Sequence, residues 1–133
     1  MNGYVLDTDW AVDCLDGKRE VAAAVNSLAP GSLYLSVISL AELYEGVIYS
    51  REPDVAMARL RDFMQDVTVL GVTRETARIF GEHRGKLRRQ GKLIDSLDIL
   101  IAATCLEHGL RLLTNNLAHF GRIEGLQIGL SEE

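Results

Sequence analysis

Four short apolar runs, at residues 4–6, 33–38, 67–72 and 110–114, alternate with segments of helical periodicity, and this alternation constrains the fold more than any other feature. Strands separated by helices pair in parallel, so the pattern predicts a three-layer α/β domain around a mainly parallel sheet. The first run stops at Asp7, and a helical pattern opens at Thr8-Asp9-Trp10 and ends near Gly17. Residues 19–28 form a second helical stretch, which Pro30-Gly31 breaks ahead of the β-rich run 33–38. Ser39 is the expected start of a helix through about Tyr49. Pro53 sits at the first position of another, with Met57, Leu60, Phe63, Met64 and Val67 at helical spacing. After the third run a helix is expected over residues 73–90, its apolar stripe running through Ala77, Phe80 and Leu87, with Gly91 as its end. Residues 97–106 are apolar almost all round, which predicts a central, covered helix stopped by Gly109. A turn at Asn115-Asn116, a short last strand near residues 126–128 and an acidic tail, Ser131-Glu132-Glu133, complete the chain.

At 133 residues and 47% apolar content, residues 1–133 are expected to form a single domain with one core. The most apolar segment, residues 99–106, falls far short of the ~20 residues that cross a bilayer. The N-terminal MNGYVLDTDW has neither the basic leader nor the apolar stretch of a signal peptide. A cytoplasmic protein with no membrane association is therefore expected. Cys14 and Cys105 lie in apolar surroundings without CxxC or Cys/His spacing, which suits small buried side chains in a reducing compartment. A net charge of −5 argues against a basic coat over the whole surface, yet it is compatible with a metal-bridged RNA site flanked by local basic patches.

Ligands of parallel sheets collect at the carboxyl ends of the strands, and this gives three acids their interest. Asp7 directly follows the first run, and Glu42 lies one turn into the helix after the second. Asp98 occupies the first turn of the most apolar helix, where an ionised carboxylate is costly unless something compensates it. A hard divalent cation compensates carboxylates through oxygen ligands, and paired cations stabilise both the attacking and leaving oxygens of a phosphodiester. No Ser/His/Asp order, cysteine nucleophile, HExxH or phosphate-binding loop competes, and His83, His108 and His119 are scattered.

Each acid also has a purely structural explanation. Ser39-Leu-Ala-Glu42 has the spacing of a capping box, and Asp95-Ser-Leu-Asp98 can place Asp95 at an N-cap with Asp98 in the first turn. Asp7 or Thr8 can cap the helix from Asp9. Capping accounts for the acids singly and gives no reason for three of them to surround one crevice. The basic stretch from His83 to Lys92 can grip phosphates or simply complement a helix end, and Trp10 and Tyr44 can stack on bases or pack in the core. In the helical excursion 39–64, Tyr44, Val47, Ile48, Met57 and Leu60 exceed what one small core covers, which predicts a homodimer or the docking of a protein partner there.

Val5-Leu-Asp-Thr-Asp9, Ser39-Leu-Ala-Glu42-Leu and Asp98-Ile-Leu-Ile-Ala-Ala103 resemble, in order and spacing, the successive motifs of PIN-domain nucleases. The ending Leu112-Leu-Thr-Asn-Asn116-Leu-Ala-His-Phe120, followed by Ile123-Glu-Gly-Leu126, resembles the VapC toxins of bacterial and archaeal toxin-antitoxin pairs. The resemblance spans nearly the whole chain. It implies an endoribonuclease dependent on Mg²⁺ or Mn²⁺ and inhibited by a VapB-type antitoxin, with Asp7, Glu42 and Asp98 as metal ligands. Many relatives carry a fourth acid at the position of Asn116, so that residue joins the expected catalytic set as one that orients water or substrate and weakens a second metal site. Asp9 and Asp95 are candidates for an extra outer acid.

Three alternatives remain open. Asp7-Thr-Asp9 after a strand also resembles the nucleophile and acid pair of haloacid dehalogenase-type phosphatases. That motif continues with Thr or Val where this chain has Ala11, and it needs a late lysine, whereas none follows Lys92. A receiver domain lacks the same lysine. A binding module that uses the acidic pocket without turnover is the third.

Overall fold

The computed structural model describes residues 2–131, so Glu132 and Glu133 of the acidic tail lie outside the described residues. Strand β1 (Tyr4–Leu6) pairs on one side with β2 (Leu33–Ser36) and on the other with β4 (Arg111–Leu113), while β3 (Thr68–Leu70) joins the outer edge of β2. All pairings are parallel, in the order β3-β2-β1-β4. Helices α1 (Thr8–Leu15) and α2 (Arg19–Asn26) link β1 to β2, and α3 (Val37–Ile48) and α4 (Pro53–Met64) link β2 to β3. Helices α5 (Arg74–Arg89) and α6 (Ser96–His108) return the chain to β4 on the far side of β1, and α7 (Leu117–Phe120) follows. The strand order thus reverses between β1 and β4, and the crevice at their carboxyl ends is where an open parallel sheet binds its ligand.

Successive strand residues point to opposite faces, and the core divides accordingly. Val5 and Leu112 pack with Ile99, Ile101, Ala102 and Cys105 of α6, Leu87 of α5 and Phe120 of α7. Their neighbours Leu6 and Leu113 pack with Leu33 and Leu35 of β2, Ala11 of α1, Leu43 and Val47 of α3, and Leu60 of α4. These two apolar layers make the sheet the middle of three, as the alternation predicts. The α6 segment is covered as expected, with Ile99, Ile101, Ala102, Ala103, Thr104 and Cys105 buried, and Gly109 ends it in the left-handed conformation at φ 65°. That geometry strains any residue with a Cβ. A four-residue helix such as α7 has no stability of its own, so the complete burial of Phe120 is what fixes it against the core.

Several boundaries differ from expectation for identifiable reasons. The helix expected from Ser39 begins at Val37, because Ser36 caps it: the Ser36 hydroxyl oxygen accepts from Ile38 N at 3.1 Å. Ser39 is therefore inside the helix and buried, and Ser39–Glu42 is not a capping box. On α5 the inward stripe runs through Thr76, Ile79 and Leu87 while Ala77 is exposed, because Thr76 is drawn inward as partner of the N-cap Thr73. The carboxylate of Glu107 on α6 accepts from both of these hydroxyls, which clasps the start of α5 to the end of α6. The last strand near residues 126–128 reduces to one parallel bridge, Leu112↔Ile128. Cys105 is buried as expected, and Cys14 is only partly so. Among the described residues no helix is long and apolar enough to cross a membrane.

Because Ser36 rather than Ser39 supplies the cap, Ser36→Ala should cost about 1 kcal/mol of stability in urea denaturation, whereas Glu42→Gln should cost no capping energy.

Candidate active site

The carboxylate of Asp7 ends β1 inside the crevice and is only 6% exposed. Its Oδ1 accepts the backbone N–H of Thr8 at 2.8 Å and so caps α1, while its Oδ2 accepts the Thr114 hydroxyl at 2.7 Å from the end of β4. One oxygen of Asp7 thus serves as a helix cap, and the other meets Thr114 across the crevice. Burial pushes its pKa up to about 6, opposed by the Thr114 hydroxyl and the Thr8 N–H, while the charges of Asp9 and Asp98 push it further up. Asp7 is therefore an anion site that the protein alone does not fully compensate.

Glu42 reaches the same crevice from α3. The Thr8 hydroxyl donates to Glu42 Oε1 at 2.7 Å and stands 2.9 Å from the buried Ser39 Oγ. Thr8 follows Asp7 directly, so a hydroxyl one residue away from the central carboxylate holds the second acid.

Asp98 arrives from the first turn of α6. Asp95 caps that helix by accepting from Leu97 N at 2.8 Å, and this leaves Asp98 free of capping duty. Its Oδ2 lies 3.1 Å from Nδ1 of His119, and the same Nδ1 lies 3.0 Å from Nδ2 of Asn116. The Thr114 hydroxyl that donates to Asp7 also accepts from Asn116 N at 2.9 Å. Asn115 N donates to Asp9 Oδ2 at 3.0 Å, and Asn115 Oδ1 accepts from the Trp10 indole at 3.2 Å. Residues 114–119 therefore connect Asp7, Asp9 and Asp98. Burial raises the pKa of Asp9 too, against the Asn115 N–H, and its Oδ1 is buried with no hydrogen-bond partner.

The structure thus brings Asp7, Asp98, Asn116 and Asp9 around the mouth of the β1–β4 crevice and ties Glu42 to it through Thr8. Asp95 stays outside as an exposed cap. Thr8, Ser39, Thr114 and His119 join this network as well, although the sequence offers Thr8 and Ser39 only as caps and gives Thr114 and His119 no role. Thr8 and Thr114 carry a readable signal, since each lies within two residues of the carboxyl end of a strand. His119 is far from the other histidines in sequence, and its signal is that it follows Asn116 by one helical turn. The basic segment is partly neutralised, with Lys86 near Glu82 and Glu124 at 3.7 and 3.6 Å, while Arg88, Arg89 and Lys92 are exposed. No lysine pairs with the crevice acids among the described residues, as an aspartyl-phosphate mechanism would require.

The chemistry of these donors fits a hard divalent cation: they are chiefly carboxylate oxygens, one of which is buried without a partner. They are not assembled as a cage. Among the described residues no group of three or more His, Cys, Asp or Glu side chains is gathered closely enough to hold an ion. Glu42 is instead turned onto Thr8 and Asp98 onto His119.

A short parallel sheet with acids converging where its strand order reverses defines a class, and comparison with known proteins identifies it. The chain belongs to the PIN domain family, whose model matches residues 4–126. It is 36% identical over 125 residues to Ribonuclease VapC2 of Haemophilus influenzae, with 93% of this chain and 94% of that protein covered. It is 30% identical over 125 residues to the tRNA(fMet)-specific endonuclease VapC of Salmonella typhimurium, with 94% and 95% covered. In backbone it matches a chain in the crystal structure of DNA-bound VapBC from Salmonella typhimurium with TM-score 0.90 and 30% identity, over 97% of this chain and 98% of that one.

The raised pKa of Asp7 has a definite sign. Its contribution to stability is fully present below the ordinary carboxylate value of 3.8 and is lost as pH rises through about 6. In EDTA, Asp7→Asn should therefore be more stable than the parent by about 1–3 kcal/mol at pH 7.5 and show no such gain at pH 3.5, as read by urea denaturation.

Proposed function

We propose that this protein is an endoribonuclease toxin of the VapC type, dependent on Mg²⁺ or Mn²⁺ and held inactive by a cognate VapB-type antitoxin. The observation that carries this reading is the incompletely compensated Asp7 carboxylate at the reversal of strand order, with Glu42 and Asp98 on either side of it. Relatives that span almost the same length are named ribonucleases, and solved relatives are VapBC assemblies, which supports RNA as substrate and VapB as partner. Its action on RNA belongs, on this reading, to the cytoplasm. A phosphatase of the haloacid dehalogenase type gains no support from the relatives or from the lysine positions.

The chain's own residues divide the work. Asp7, fixed at both oxygens, is the anchor ligand, and Glu42 and Asp98 complete the metal-binding set by turning from their present partners. A bound divalent cation would supply Lewis-acid stabilisation of the charge that develops on a phosphodiester during in-line displacement. Asn116, held by Thr114, would orient water or substrate, and Asp9 would serve as an outer acid through its partnerless Oδ1. Exposed Arg88, Arg89 and Lys92 precede Asp98 at the same end of α6 and would attract the phosphate backbone. Purified protein freed of antitoxin should cleave single-stranded RNA with either cation and lose that activity in EDTA. Asp7→Asn, Glu42→Gln and Asp98→Asn should each reduce cleavage by orders of magnitude, about 10²-fold or more, and shrink the rise in Tm that the cation produces. Unchanged cleavage and unchanged cation stabilisation in the Glu42 and Asp98 variants would remove those residues from the site.

The homodimer expected from the α3–α4 excursion has a surface to use. Val47 and Leu60 are consumed by the core, while Tyr44, Ile48, Tyr49 and Val55 remain 46, 69, 84 and 44% exposed. In light-scattering chromatography, Ile48→Lys should convert a dimer to a monomer while changing monomer stability by no more than about 0.5 kcal/mol. A parent that stays monomeric at high concentration would count against the dimer.

A further inference from the structure

We propose that the substrate strand is gripped on one side of the crevice only. Arg88, Arg89 and Lys92, on the turn from α5 into α6, hold the phosphates of an unpaired strand, and Arg122 braces that turn from beyond α7. The inference rests on the RNA-cleaving reading above, and it adds where the strand lies and that nucleotides on one side of the scissile bond carry the binding.

Charge is divided sharply about Asp7. Residues 1–50, which build the β1 and β2 side, contain no lysine or arginine except Lys18 and Arg19. Both lie beyond the C-terminal end of α1, a helix length from the crevice, and Lys18 is paired with Asp13 at 3.7 Å. The same side carries Asp9, Glu42 and Glu45. Across the crevice the sign reverses. Residues 83–92 contain no acid, and Arg88, Arg89 and Lys92 are exposed and make no ion pair among the described residues. Elsewhere on α5 the cations are spent, Arg78 on Glu75 and Glu82, and Lys86 on Glu82 and Glu124. The dipole of α5 accounts for cations in its last turn, but Lys92 lies past the helix and does not serve it. A phosphate chain is thus drawn over the α5–α6 turn and repelled from α1 and α3.

The turn is fixed in place. Lys92 N donates to Leu87 O at 2.8 Å across Gly91, which is left-handed at φ 69°, while Ile94 is buried and Asp95 caps α6. From the turn after α7, Arg122 Nη1 donates to the carbonyls of Lys92 and Leu93 at 3.3 and 3.4 Å. Helix α7 itself brings His119 to within 3.1 Å of Asp98, so one short segment borders the crevice and sets how far the cations stand from it. Apolar surface lies among these charges, with Leu93, Leu97 and Leu117 at 42, 42 and 60% exposure. Leu97 directly precedes Asp98, and Leu117 directly follows Asn116. Base faces gain cover from such side chains when a strand is unpaired, whereas a duplex keeps them inside its own stack.

The test uses the full-length protein with Mg²⁺ or Mn²⁺ and an unstructured single-stranded RNA whose cut is mapped and which is then shortened from either end. Shortening from one end should raise KM about tenfold with kcat unchanged, and shortening from the other should leave both constants at their starting values. A variant combining Arg88→Gln, Arg89→Gln and Lys92→Gln should show the raised KM on the unshortened RNA and lose its dependence on that end. In EDTA, fluorescence anisotropy of the same RNA should give that variant a slope of log affinity against log salt about 2 smaller in magnitude than the parent's. Arg51→Gln, Arg59→Gln and Arg61→Gln together remove the same charge from exposed positions at α4 and should match the parent. Arg122→Gln should raise KM about threefold while keeping the parental slope, because its guanidinium is spent on carbonyls. Equal dependence on both ends, parental KM and slope in the turn variant, an equal loss in the α4 variant, or parental KM in Arg122→Gln would overturn this proposal alone. Intact RNA handling with weakened binding of a VapB-type antitoxin would do the same and make the turn a protein-docking surface. A parent that cleaves no RNA with either cation would overturn the RNA-cleaving reading with it.

Discussion

A carboxylate buried at the end of a strand, Asp7 between β1 and β4, is the constraint around which the rest of this structure is arranged. An anion in that position must be met by donors or by a counter-ion. The protein supplies two donors, the Thr8 N–H and the Thr114 hydroxyl, and surrounds them with further negative charge from Asp9 and Asp98. The balance raises the acid's proton affinity toward neutrality. A domain selected for stability alone would place an apolar or neutral side chain there, so the ionised carboxylate is a cost to folding, one that a cation would offset on the function proposed above.

The helix starts show how the acids are kept available. In α3 the capping falls to Ser36, and in α6 to Asp95, so that neither Glu42 nor Asp98 is needed to satisfy backbone N–H groups. In α1 the arrangement differs, because Asp7 is itself the cap and uses only one oxygen for it. Short hydroxyl side chains then link the acids: Thr8 holds Glu42, and Thr114 spans from Asp7 to the backbone of Asn116. Such contacts release a carboxylate more readily than an arginine ion pair would, since a bond from a neutral hydroxyl is weaker than one from a charged guanidinium. The absence of a closed cage among the described residues follows naturally from this arrangement.

Parallel pairing explains why so few residues suffice. Each strand is only three or four residues long, yet β1, β2 and β4 end at one edge. Whatever follows each strand is therefore delivered to the same crevice: Asp7 and Thr8 after β1, α3 with Glu42 after β2, and Thr114 to His119 after β4. The covered helix α6 contributes Asp98 from its first turn, where Ser96 and Leu97 are exposed and Asp98 is half-buried.

Much of this arrangement is legible in the sequence by itself. The alternation of runs and helical periods determined the three-layer parallel architecture, the place of Asp7 after the first strand, the helix starts at Asp95 and Thr73 and the stop at Gly109, because side-chain period, capping and left-handed glycine are local effects. The ordered motifs indicated the family for the same reason. What the tertiary structure alone decided was the company each acid keeps. Ser36 displaces Ser39 as the cap of α3, a choice set by where β2 leaves the sheet. Thr8 meets Glu42 across 34 residues of sequence, Thr114 meets Asp7 across 107, and His119 meets Asp98 across 21. No local pattern encodes such meetings, since they depend on how the parallel sheet orders its strands and on the burial of Phe120 that holds α7 in place.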